Sequence, residues 1–167
     1  MRKAPTFAGL VITFSALFFS GEAAGFNNPV TGVSLGTALR DAHALAAHRA
    51  DLSVVRVEGV SMLPYFGPGA VLVVKHLPAE KLRAGMVAVY TNRFNETVAH
   101  GLIAPTAAGW TAGGHNNTTA DSTPVTAQNL VGVVYATFHS DGAAPSSTDL
   151  LSALTTSTPV ALAAPAR

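Results

Sequence analysis

The segment of this sequence best suited to chemistry is Gly59-Val60-Ser61-Met62-Leu63-Pro64, which follows a β-rich run ending near Glu58. A strand leading into a tight turn there would hold a serine with its hydroxyl and its backbone N–H facing one small space. Gly59 permits close backbone approach, and Pro64 stiffens the exit. Such a turn offers a nucleophile and an oxyanion donor together, although an ordinary serine-containing turn has the same local composition. There is no cysteine in the 167 residues. That excludes a thiol nucleophile, a disulfide scaffold and a zinc–thiolate site, and leaves serine as the credible nucleophile.

Other candidate groups are weaker. His100, His115 and His139 are irregularly spaced and have no paired carboxylate, so no metal site is expected. No glycine motif for phosphate is present, and no cofactor is expected. Charged residues make up 11% of the chain and the formal net charge is +1, against a usual charged fraction of about 25%. Scattered Lys and Arg at near-zero net charge give no footprint for DNA or RNA.

The elements that must position these groups are legible in outline. Residues 1–24 combine Met1-Arg2-Lys3, an apolar run from Phe7 to Ser20, and the small residues of Gly21-Glu22-Ala23-Ala24-Gly25. They read as a signal peptide, with a membrane anchor as the alternative. Gly21/Ala23 and Ala23/Gly25 both satisfy a small-x-small pattern, so the cut is not fixed. Either way the remainder is expected to be exported: periplasmic, extracellular, or anchored with its domain outside the cytoplasm. Residues 25–52 read as a helical lead-in. Within it, Leu35, Leu39, Ala42, Leu45 and Ala46 share one face of a helix over Ser34–Ala50, with Ser34 as N-cap and His43 and His48 solvated or half-buried. Residues 53–140 form the expected domain. Its strands are Ser53–Glu58, Ala70–His76, Met86–Thr91, Thr97–Ala104, Trp110–Ala112 and Leu130–Phe138, punctuated by Gly, Pro and Asn. The fold class is therefore mainly β, in coiled antiparallel sheets resembling a barrel, with one preceding helix. Residues 141–167 are rich in Ala, Ser, Thr and Pro and read as a partly disordered tail.

Taken in order, these blocks resemble the type I signal peptidase superfamily, which also includes LexA-like repressor autoproteases. Val57-Glu58-Gly59-Val60-Ser61-Met62-Leu63-Pro64-Tyr65-Phe66 is similar to its nucleophile segment, where serine precedes Met and Pro follows. Gly67-Pro68-Gly69-Ala70-Val71-Leu72-Val73 looks like the next strand, with Ala70 where Asp is usual; Arg83-Ala84-Gly85-Met86-Val87-Ala88-Val89 looks like another, with Met86 in place of Asp. Val98-Ala99-His100-Gly101-Leu102-Ile103 is similar to the "H-R-V-I" strand of the endoplasmic-reticulum and archaeal branch. Gly113-Gly114-His115-Asn116-Asn117 with Asp121 resembles that branch's "K-G-D-N-N…D", and Leu130-Val131-Gly132-Val133-Val134 its "I-V-G-K-V" strand. The match runs from about Val54 to Phe138.

The resemblance implies a mostly β serine endopeptidase acting through an acyl-enzyme. The branches differ in the base, lysine or histidine. Lysine occurs only at Lys3, Lys75 and Lys81, too early for the family's lysine, so the base falls to His100. Histidine ordinarily titrates near pH 6.5, which suits proton abstraction near neutrality. Asp121 matches the second family acid and would orient the imidazole, while His115 replaces the first. Gly59, Met62, Pro64, His115 and Asn116 fall in the implied substrate and oxyanion region. The expected partner is an extended polypeptide with small side chains near the cut, pairing with an exposed strand; a retained anchor would add a membrane surface. The departures at Ala70, Met86, Gly101 and His115 carry an alternative: a weak or inactive relative that binds peptide or protein without cutting it. A repressor-type autoprotease fits less well with an export leader.

Overall fold

A computed structural model describes residues 26–142. The leader and most of the 141–167 tail, including Leu150, Leu151, Leu154 and Ala161-Leu162-Ala163, lie outside the described residues. One helix, α1 (Leu35–Ala47), precedes six strands: β1 (Leu52–Arg56), β2 (Val71–Lys75), β3 (Val87–Thr91), β4 (Thr97–Thr106), β5 (Gly109–Gly113) and β6 (Leu130–Phe138). Each expected strand is present within one or two residues of its expected ends. Of the helical lead-in, only 35–47 is helical. Asn27-Asn28-Pro29 and Gly32 disfavour an earlier start, and the Ser34 side chain accepts from the Thr37 N–H as the N-cap. His43 and His48 are exposed.

The strands form one antiparallel sheet in the order β1-β2-β6-β3-β4-β5. The sheet stays open, which corrects the barrel-like expectation. β1 and β5 are opposite edges; among the described residues, the outer side of β5 meets a single bridge from Trp110 to Val125 and the Asp121 N–H, which donates to Ala112 O. A short Gly-bounded strand offers too little ladder to close the sheet.

Both faces are covered at the centre, so β2 and β3 read as continuous Val-rich runs rather than alternating ones. Val71 and Val73 pack against Leu35, Ala38 and Ala42 of α1. Leu72 and Val74 point the other way and meet Val89, Met62 and Phe66. Ala88 and Tyr90 join Leu102, Ala112 and Val125 in a third cluster, with half-buried Trp110 beside it. This last pair matters most for the site, because it places the Tyr90 ring on the same side of the sheet as the next strand's His100, whose Cα partner is Ala88.

Candidate active site

Ser61 lies in the connection between β1 and β2. The connection is pinched at its base, where the Val57 N–H donates to Ala70 O and the Gly69 N–H to Val57 O. Within it the chain coils tightly: Leu63 N–H donates to Val60 O, and Tyr65 N–H to Met62 O. Met62, Leu63 and Phe66 are buried beneath the coil, while Val60 and Tyr65 face out. Burying these apolar side chains fixes which way the turn faces and leaves Ser61 half-buried at its rim. The Leu63–Pro64 peptide bond is cis, and Pro64 itself is exposed. Among the described residues, the Ser61 N–H meets no hydrogen-bond acceptor.

His100 projects from the middle of β4 and is 7% exposed, so it reaches Ser61 within the protein rather than across solvent. Its Nε2 lies 2.8 Å from Ser61 Oγ, and its Nδ1 lies 2.7 Å from Asp121 Oδ2. An ionised carboxylate only accepts. The Nδ1 hydrogen therefore points to Asp121, and Nε2 is left to accept from the serine hydroxyl. Asp121 is set by the loop that leaves β5: the chain turns back so that the Asp121 N–H donates to Ala112 O at 2.8 Å. The Tyr90 hydroxyl donates to the same carboxylate oxygen. Burial first, then the Asp121 hydrogen bond and charge, push the Tyr90 phenol far above its ordinary value, so it stays a donor. Four side chains from the β1–β2 turn, β3, β4 and the β5–β6 loop thus form one hydrogen-bonded line.

Of the other expected site residues, Asn116 holds the nucleophile turn. Its N–H donates to Ser61 O at 2.7 Å, and its side-chain amide donates to Val60 O at 3.2 Å. Met62 is a buried anchor that also lines the clefts on either side. His115 does not take up the role of the family acid it replaces. It is exposed, with its ring 4.7 Å from Tyr65 and 6.1 Å from Phe26. The close backbone approach expected at Gly59 is absent there, since a Cβ on Gly59 would meet nothing within 4 Å. The approach occurs at Gly114, where a Cβ would lie 2.7 Å from Ser61 O and 2.8 Å from Ser61 Cβ. The tight contact lies between two loops, so the glycine is needed on the partner loop.

Two residues went unrecognised from sequence, Tyr90 and Gly114. Tyr90 looks like an ordinary apolar strand position. Gly114 sits in the matched Gly-Gly-His-Asn-Asn block, which is the only signal that could have singled it out. Ala70 is a buried turn residue rather than a surface one, and Met86 packs in the third cluster; no hydrogen bond or ring contact links either to the line of four. Among the described residues, no group of three or more His, Asp or Glu side chains is placed to hold a metal ion, and no helix is long and apolar enough to cross a membrane.

Two clefts flank the nucleophile turn. A small one of about 140 Å³ contains Ser61 and His100 and is walled by Val55, Val57, Leu72 and Val89. A larger one of about 1140 Å³ lies on the other side of Met62, between Tyr65, Met86, Ile103 and the 113–120 loop, and does not include the catalytic-type groups. The small cleft, not the larger one, is the one lined by Ser61 and His100. No family model, no curated protein and no solved structure matches this chain.

Proposed function

We propose that the protein is a serine endopeptidase of the signal-peptidase-like superfamily, acting on exported or membrane-associated polypeptides. The observation that carries the reading is the continuous Ser61–His100–Asp121 hydrogen-bond line, with 2.8 Å and 2.7 Å links. Ser61 Oγ attacks a peptide carbonyl as His100 Nε2 takes its proton. His100 then protonates the departing amine, and water releases the acyl group by the reverse sequence. Asp121 holds the imidazole in the competent tautomer and stabilises the imidazolium. The unengaged Ser61 N–H is the oxyanion donor nearest the reacting carbon. The cleft of about 140 Å³ beside Ser61, walled by Val55, Val57, Leu72 and Val89 with Arg56 and Glu58 also on its lining, leaves room for a small side chain next to the cut.

The experiment is labelling with a serine-directed acylating probe. The wild type is expected to react, and Ser61→Ala and His100→Ala are not. Labelling that survives Ser61→Ala sinks the nucleophile assignment. A folded wild type that never reacts favours the binding-module alternative.

A further inference from the structure

We infer, resting on the peptidase reading above, that the larger cleft is a specificity subsite for the leaving half of the substrate, and that it receives a bulky, apolar side chain two residues beyond the cut. The cleft holds about 1140 Å³, at the upper end of what ligand sites enclose and far more than one small side chain fills. It shares a wall with the cleft at the nucleophile. Met62 lines both, and Gly114, which also lines the larger one, abuts Ser61 Cβ. Gly101, the neighbour of His100 on β4, lines it as well. A polypeptide laid across Ser61 therefore passes from one cleft into the other.

The lining sets what the larger cleft accepts. Among the described residues, no Asp, Glu, Lys or Arg lines it, whereas Arg56 and Glu58 line the small one. Met62, Phe66 and Leu102 form its buried floor. Its lips are Tyr65 and Ile103, which are 58% and 56% exposed. Large apolar side chains left in water along the rim of a cleft mark a binding surface rather than a core. Ile103 is turned outward by a β-bulge: Leu102 pairs with Ala112 and Ala104 with Thr111, so Ile103 has no partner on β5. Gly101 keeps the space beside it open, since a Cβ there would meet only Gly113 O, at 3.6 Å. A lysine or aspartate side chain entering this cleft would give up its water without an ion-pair partner of fixed charge, whereas Leu, Met or Phe gains by burial.

Alternation of side chains sets the register. The acyl side chain stands nearer the attacked carbon than any side chain of the leaving half, so it belongs in the small cleft, which Ser61 and His100 themselves line. In an extended chain, alternate side chains face the same way. The first residue after the cut then points away from the protein. The second faces it again about 7 Å from the acyl residue, past Gly114 and into the larger cleft.

The test uses the full chain and a library of peptides randomised around a central Ala, with each cut located by mass spectrometry. The wild type is expected to favour Phe, Leu or Met over Asp or Lys at the second residue after the cut by at least about tenfold in kcat/KM. Ile103→Glu changes an exposed lip rather than the core. It is expected to label still at Ser61 and to prefer Lys over Leu at that same position. Gly101→Leu, which fills the cleft from β4, is expected to cut peptides with Ala there and to lose those with Phe. A wild type that labels but shows no preference at that position, shows it only on the acyl side, or cuts no library member overturns the subsite and leaves Ser61 as the nucleophile. An Ile103→Glu profile identical to that of the wild type overturns it as well. A folded wild type that neither labels nor cuts overturns the peptidase reading and the subsite together.

Discussion

Tyr90 donates its hydroxyl to the same Asp121 oxygen that faces His100 Nδ1. The two donors converge on Oδ2 from β3 and β4, neighbouring strands whose residues 88 and 100 are Cα partners. Asp121 is thereby held from two directions, and its backbone is tied to Ala112. The tyrosine touches neither Ser61 nor the expected substrate position, so it acts through the carboxylate as a positioning residue.

Removing that hydroxyl separates orientation from chemistry. Tyr90→Phe keeps the packing and the nucleophile, so labelling is expected to slow by about tenfold, or about 1.4 kcal/mol, with Ser61 still the labelled residue. Its pH dependence has a definite sign. The phenol is raised in the folded state, so its stabilisation is fully present below the ordinary tyrosine value of about 10 and is lost as pH rises above it. The difference in denaturation midpoint between wild type and Tyr90→Phe should stay constant from neutral pH to that point and narrow beyond it. A difference independent of pH would count against the donor role.

Asp121→Asn tests the tautomer argument. An amide can donate to His100 Nδ1, which places the imidazole hydrogen on Nε2, where it no longer accepts from Ser61. Labelling is expected to fall by about 10³- to 10⁴-fold while the unfolding midpoint moves little. A rate insensitive to Asp121→Asn would remove the carboxylate from the mechanism.

The two glycines nearest the nucleophile are predicted to behave oppositely. At Gly114, a methyl group meets Ser61 O, Ser61 Cβ and the Asn117 side chain, all under 3 Å. Gly114→Ala should cost about 1–3 kcal/mol of stability through overpacking and slow labelling by displacing the serine. At Gly59 the space is open and the backbone is not left-handed, so Gly59→Ala should change stability by less than about 0.5 kcal/mol. Urea titrations of the two variants, with labelling rates beside them, check this pair. Equal costs would overturn the placement of the tight contact.

The parts legible in the sequence were those governed by local rules. The helix over 35–47 with its Ser34 cap follows from apolar spacing and a capping side chain, and the six strands follow from Val-rich runs between Gly, Pro and Asn turns. Ser61, His100 and Asp121 were found through short blocks in a consistent order, not through any one local signal. The barrel-like expectation failed because closure depends on the pairing of β1 with β5, and nothing in either run states who its neighbour is. Gly59 was chosen because it adjoins the serine in the chain, but close approach is a property of space.

By itself, then, the sequence determined which segments are strands, where the helix begins, that no cysteine is present to act as a nucleophile, and that no lysine follows Lys81. These depend on residue type and on neighbours a few positions away. Only the tertiary structure decided that Tyr90 grips Asp121, 31 residues further on, that Gly114 rather than Gly59 admits the nucleophile turn, and that Phe26 enters beside His115. Each of these joins segments far apart in the chain. They are set by the order and register in which the strands pair, a collective outcome of burying both faces of one sheet.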